Sequence, residues 1–174
     1  MGTVENELYT IRRARPEDAE ALGAAQREIA RTPGRLASRP EELDDEVFRD
    51  KIALLSGHDA GASAVIEAGG VIVGHAFLEP HKLAALSHVA FLTIVIHEGW
   101  QGRGLGRMLM KHLIGWAREH PRIEKLELQV RSSNVAAIRL YESLGFVEEG
   151  RKTKRLKYGP GDYLDDVYMA LWVG

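Results

Sequence analysis

Apolar positions along the chain change period several times, and each change marks an element. Leu8 to Arg13 reads as a first strand. Pro16 suits the first turn of a helix, and Leu22, Ala25 and Ile29 then recur at helical spacing to about Arg31. Thr32-Pro33-Gly34-Arg35 breaks that helix. A second is predicted from Pro40 to Ser56, with Leu43, Val47, Lys51 and Leu54 in register. Ala64 to Glu67 and Val71 to Glu79 flank Gly69-Gly70, the signature of a hairpin turn. Val89 to Ile96 is an almost unbroken apolar run, expected to be a strand buried on both faces. Leu105, Met108, Leu109, His112, Leu113 and Trp116 return to helical spacing until His120-Pro121.

Leu126 to Val130 alternates as a strand. Asn134 and Gly145 bound a short helix, one as its cap and the other as its left-handed stop. Phe146 to Lys157 and Tyr163 to Trp172 form a last hairpin around Tyr158-Gly159-Pro160-Gly161-Asp162. The order β-α-α-β-β-β-α-β-α-β-β mixes hairpins with crossovers. It predicts an α/β fold with a mixed central sheet flanked by helices on both faces. No repeat or linker interrupts residues 1–174, so a single domain is expected.

Composition then removes classes of function. The net charge of −2 gives no bulk attraction to nucleic acid or to an anionic membrane. With no cysteine there is no disulfide, no cysteine nucleophile and no thiolate metal site, and the seven histidines lack the His-x-x-x-His spacing of a metal pair. No apolar run approaches the ~18 residues of a membrane span. Met1 to Glu7 is acidic and lacks the apolar core of a signal peptide. The expectation is a cytoplasmic protein with no membrane or nucleic-acid partner and no metal.

Chemistry enters with Gln101-Gly102-Arg103-Gly104-Leu105-Gly106, between the apolar strand and the long helix. Glycines on alternate positions let backbone N–H groups converge, and a helix N-terminus adds partial positive charge. Arg103 and Arg107 add full charges, which suits a pyrophosphate. A Walker loop is excluded, because Gly106 is followed by Arg107-Met108 rather than Lys-Ser/Thr. The dinucleotide fingerprint is excluded because position 107 is not glycine. A glycine-rich strand-to-helix turn with surface arginines would look the same up to this point.

The loop resembles the Gln/Arg-x-x-Gly-x-Gly/Ala signature of the GNAT superfamily of N-acetyltransferases. Asn134-Val135-Ala136-Ala137-Ile138-Arg139-Leu140-Tyr141-Glu142-Ser143-Leu144-Gly145-Phe146 is similar to that family's second signature, Asn-x-x-Ala-x-x-Leu-Tyr-x-x-Leu-Gly-Phe. The resemblance runs from about Val65 to Trp172. It implies a mostly antiparallel sheet and acetyl-coenzyme A as cosubstrate. The backbone of Gly102, Arg103, Gly104, Leu105, Gly106 and Arg107, with Gln101, would hold the pyrophosphate. Ile94, Val95 and Ile96 would pair with the pantetheine arm like an added strand, and the N–H of Ile96 would face the acetyl oxygen. Asn134 would contact the same arm.

Tyr141 is the general-acid candidate, since a phenol of ordinary pKa about 10 can donate to a departing thiolate. Several relatives carry a basic glutamate at the positions of Phe91 and Gln129, and here both are missing. Glu127 shares a face with Gln129 and could act through water; His88, His97 and Glu98 are the other candidates near the strand. Direct attack by a primary amine is the expected reaction. The acceptor is a small-molecule amine, an amino acid or a peptide N-terminus, and a homodimer is left open. Arg31, Arg35 and Arg39 would suit a carboxylate-bearing acceptor, whereas Asp162, Asp165 and Asp166, with Tyr163 nearby, would suit a polyamine. The alternative, motivated by the two absent glutamates, is an inactive acetyl-coenzyme A sensor or partner subunit.

Overall fold

The computed structural model describes residues 4–6 and 8–174; Met1, Gly2, Thr3 and Glu7, from the acidic N-terminal stretch, lie outside them. The strands are β1 (Val4–Asn6), β2 (Tyr9–Arg13), β3 (Ala62–Ala68), β4 (Val71–Pro80), β5 (Val89–Ile96), β6 (Lys125–Arg131), β7 (Val147–Gly159) and β8 (Asp162–Trp172). The helices are α1 (Ala19–Ala30), α2 (Asp45–Gly57), α3 (Leu105–Glu119) and α4 (Val135–Ser143). All eight strands join one sheet in the order β1-β2-β3-β4-β5-β6-β8-β7. Every neighbouring pair is antiparallel except β5 with β6. The predicted order of elements is recovered, with β1 added at one edge, where Glu5 pairs with Thr10.

The two faces of the sheet are packed by different helices. On one face α3 buries Leu105, Leu109, Met110, Leu113, Ile114 and Ala117 against Ala76, Leu78, Ala90, Leu92 and Leu126. On the other, Leu22 of α1 and Phe48, Ile52 and Leu55 of α2 cover Val65 and Phe77. Fully burying such a side chain contributes roughly 1.5–3 kcal/mol, so the two layers fix where each helix can sit.

The second helix departs from the expectation. Pro40–Glu42 is a separate 3-10 turn, Leu43 is extended, and the Asp44 carboxylate accepts from the Glu46 N–H at 3.0 Å to start α2. The buried stripe is Phe48, Ile52 and Leu55, while Val47 and Leu54 are 58% and 63% exposed. Both stripes have helical spacing, and the aromatic ring at Phe48 and the flat surface of Phe77 decide which one turns inward. Among the described residues, no helix is long and apolar enough to cross a membrane.

Candidate active site

The parallel pairing of β5 and β6 covers only Val89 with Lys125, Ala90 with Leu126 and Phe91 with Glu127. Beyond that fork β5 stays on β4 and β6 stays on β8. The facing backbone edges of Leu92–Ile96 and Leu128–Arg131 therefore lack each other, and a cleft of about 970 Å³ opens at this place. Ile94, Val95 and Ile96 line it, as do Gln101, Gly102, Gly104, Leu105, Gly106 and Arg107, and from the next crossover Asn134 and Tyr141. Most of the cofactor residues expected from sequence are thus brought to one place.

The loop before α3 is built for a backbone approach. Gly104 caps the helix with φ 79 and ψ 0, and nothing lies within 4 Å of where its Cβ would stand. The first bond into the helix runs from the Met108 N–H to the Gly104 carbonyl at 3.1 Å. The N–H groups of Leu105, Gly106 and Arg107 have no acceptor one turn earlier and point out of the helix end. Gly106 also lets α4 come close, since a Cβ there would stand 3.3 Å from Leu140 Cδ2.

The side chains of the loop do something else than expected. Gln101 braces the turn, donating to the Ile96 carbonyl at 3.0 Å and accepting from the Gly99 N–H at 3.2 Å. Arg103 donates to the Gly99 carbonyl at 3.1 Å and lies 4.6 Å from the centre of the Trp100 ring, outside the cleft lining. Arg107 donates to the Ser143 hydroxyl at 2.8 Å, which ties the start of α3 to the end of α4. The anion-binding capacity therefore rests on backbone N–H groups first.

Tyr141 is 8% exposed, and burial pushes its phenol up to about 12. It stays protonated at any physiological pH and holds its proton more tightly than an unperturbed phenol does. Asn134 caps α4 through its side-chain oxygen, which accepts from the Ala137 N–H at 3.1 Å.

The base candidates go elsewhere. Glu127 sits at the fork in an ion pair with Lys125 at 2.9 Å, and Lys125 also holds Glu149 at 2.8 Å; Glu127 does not line the cleft. His88 stacks on Trp172 at 6.4 Å. Glu98 pairs with Arg35 at 2.7 Å. Gln129 donates to Asp166, a carboxylate only 1% exposed that Arg131 holds from the other side at 2.5 Å. His97 belongs to a buried chain. Gln26 Nε2 can only donate, so His75 accepts at Nε2, 3.0 Å away, and donates from Nδ1 to His97 Nε2, also 3.0 Å away. Burial pulls His97 down to about 4 and His75 well below its usual value, so both rings are neutral.

Of the residues expected to meet the acceptor, Arg31 pairs with Glu28 on the surface, and the Arg39 backbone N–H caps onto Glu42; of the three arginines only Arg35 lines the cleft. Asp165 accepts from the Lys154 N–H at 2.7 Å, and Tyr163 lies under Lys154 and Lys157, which leaves Asp162 as the only carboxylate among the described lining residues. Sequence reasoning missed Trp100, Ser133, Tyr158 and Leu164, which also line the cleft. Trp100 could have been found as the aromatic flank of the glycine loop; the others depend on contacts made far along the chain.

Among known proteins, the model of the acetyltransferase (GNAT) family matches residues 24–146. The L-amino acid N-acetyltransferase AaaT of Escherichia coli is 34% identical over 101 residues, covering 58% of this chain and 62% of that protein. The ribosomal protein bS18 alanine N-acetyltransferase of Salmonella typhimurium is 44% identical over 88 residues, covering 49% of this chain and 57% of that protein. The chain thus spans about three fifths of the length of these two curated relatives. The yncA protein of Salmonella typhimurium, solved with its cofactor acetyl-CoA, superposes with a TM-score of 0.85 at 23% identity, over 100% of this chain and 95% of that one.

Proposed function

Because this chain belongs to the GNAT acetyltransferase family, we propose that it transfers the acetyl group of acetyl-coenzyme A to a primary amine by direct attack. The observation that carries this reading is the fork after Phe91 and Glu127, which leaves the β5 edge open beside the bare N–H groups of α3. The pyrophosphate sits on the backbone of Gly102 to Arg107, and the pantetheine arm lies along Ile94–Ile96, taking the hydrogen bonds that β6 does not. The acetyl oxygen then faces the Ile96 N–H, a donor already in place for the charge that develops there.

The amine nitrogen attacks the carbonyl carbon, the carbon–sulfur bond breaks, and the sulfur leaves as a thiolate. Tyr141, neutral and next to the cleft, donates to that sulfur. A thiol of pKa about 8.5 is more acidic than this phenol, so Tyr141 acts mainly through its hydrogen bond. The amine loses its proton to water, since neither Glu127 nor His97 faces the cleft and Asp162 is the one carboxylate among its described lining residues. The acceptor is an amino acid or a peptide N-terminus; the relatives' names give an L-amino acid for AaaT and an alanine of ribosomal protein bS18 for the other. The test is release of free thiol from acetyl-coenzyme A with a panel of amines, followed with a thiol reagent. Amine-dependent release with N-acetylated product is the expected result; tight cosubstrate binding with no release for any amine would refute it.

A further inference from the structure

Past the fork, one side chain on β6 keeps a polar atom free on the lip of the gap. Phe91 pairs with Glu127, so Thr93 and Gln129, two residues further along each strand, stand on opposite lips and on the same face. That face is the one away from α3. Leu126, Leu128 and Val130 are buried in the α3 core, and Thr93 pairs with Phe77, which α1 and α2 cover.

The orientation of the Gln129 amide is set from β8. Asp166 is 1% exposed and holds Arg131 at 2.5 Å, so its carboxylate can only accept. It takes the bond from Gln129 Nε2. An amide carries its oxygen on the other side of Cδ from its nitrogen. With Nε2 turned to β8, Oε1 turns away from β8, toward the gap. Among the described residues no group donates to that oxygen. Glu127, one step nearer the fork on the same face, is held by Lys125. Gln129 therefore carries the free acceptor on this lip.

We propose that Gln129 binds the attacking amine through Oε1, and that Asp166 and Arg131 are positioning residues that keep the oxygen of that amide, not its nitrogen, toward the reaction. The inference rests on the acetyl-transfer reading, in which the thioester lies in the gap along Ile94–Ile96 and the N-terminus of α3 holds the pyrophosphate. The amine then arrives from the other face, beside Gln129. Oε1 accepts from the ammonium before its proton leaves for water. It then accepts from one of the two remaining N–H groups, which leaves the lone pair free for the carbonyl carbon. An amide nitrogen in the same place would bind the lone pair and block the attack. Gln129 takes no proton itself; its part is orientation.

The experiment measures acceptor kcat/KM at saturating acetyl-coenzyme A, with the amine that releases thiol fastest. It compares Gln129→Leu, Asp166→Asn and the double variant. Gln129→Leu changes a half-buried position and should lower acceptor kcat/KM about tenfold, as one lost hydrogen bond would. The KM for acetyl-coenzyme A should stay within about twofold, and the midpoint of the pH profile should not move, because Gln129 is not the base. In Asp166→Asn the new NH2 group faces Gln129 while Arg131 keeps the oxygen, so the Gln129 amide turns over. At least about a tenfold loss is expected there too. In the double variant the second change should cost almost nothing more, because the group it turns is gone. If Asp166→Asn does not fold, Gln129→Leu decides alone. Undiminished acceptor kcat/KM in Gln129→Leu, an equal loss of acetyl-coenzyme A affinity, or a shifted pH midpoint would overturn the role while acetyl transfer stands. Losses that multiply in the double variant would overturn the positioning by Asp166. No thiol release with any amine in the unsubstituted protein would overturn both readings.

Discussion

The hydroxyl of Tyr158 donates to the carbonyl of Leu36 at 2.9 Å, across 122 positions of sequence. This bond straps the end of the last hairpin to the loop between α1 and α2. Leu164 packs on the same loop, 3.1 Å from the position a Cβ on Gly34 would take. This wall of the cleft, where we propose the acceptor enters, is therefore built of two segments that hold each other.

Tyr158→Phe removes the strap and keeps the ring. A hydrogen bond of this kind contributes about 1 kcal/mol net, roughly fivefold in an equilibrium constant. The acceptor KM should rise by about that factor while the affinity for acetyl-coenzyme A, measured by calorimetry, stays within about twofold. An equal loss of both would show that the hairpin shapes the whole cleft rather than its acceptor side.

Gly104→Val tests the backbone approach. Its φ of +79 costs a branched residue about 1–2 kcal/mol, and the added side chain enters the open space in which we propose the pyrophosphate binds. Acetyl-coenzyme A affinity should fall at least about tenfold, with a modest loss of thermal stability. Arg103→Ala, by contrast, should lower stability more than affinity, because Arg103 is spent on Trp100 and the Gly99 carbonyl.

Tyr141→Phe should leave cosubstrate binding intact and lower kcat by about 10²-fold, the lower end of what general acids contribute. The lower end is expected because burial weakens this phenol as a proton donor. Full activity in the variant would reduce Tyr141 to a packing residue of α4.

Much of this site was legible in the chain because its signals are local. The glycines of the 99–106 loop, the Asn134 cap and the Gly145 stop each act within a few residues, and each lies where the sequence puts it. Helix α2 was legible as a helix but not in its facing, since Val47 and Phe48 offer competing stripes and only Phe77 across the layer chooses between them. The uses of Arg103, Glu127 and Gln129 were not legible, because each is settled by a partner whose position depends on the finished sheet: Trp100, Lys125 and Asp166. The histidine chain was hidden for the same reason, its members lying on α1, β4 and the end of β5.

That chain sets a pH dependence of stability. His75 and His97 are neutral in the fold and bind protons near their usual pKa of 6.5 once unfolded. The unfolded state therefore binds more protons below pH 6.5, and stability falls as the pH drops from there toward about 4, where His97 begins to charge in the fold as well. Unfolding around pH 5 should take up about two protons from this pair, each worth about 1.4 kcal/mol per pH unit. His97→Asn should remove about one of them. Urea unfolding at a series of pH values measures the slope, and a slope unchanged in the variant would contradict the neutral pairing.

The fork between β5 and β6 makes the sheet two leaves bound at a short spine. One leaf holds β1 to β5 and the other β6, β8 and β7, and in the sheet itself three residue pairs join them. An ordinary sheet is weakest at its rims; this one carries its weakest line through the middle. A molecule lying in the gap acts as mortar between the leaves, so whatever fills it also stiffens the protein as a whole. The amide hydrogens of Ile94 and Ile96, which face the gap while that of Val95 points to β4, accordingly exchange with solvent sooner than their depth suggests, until the gap is filled.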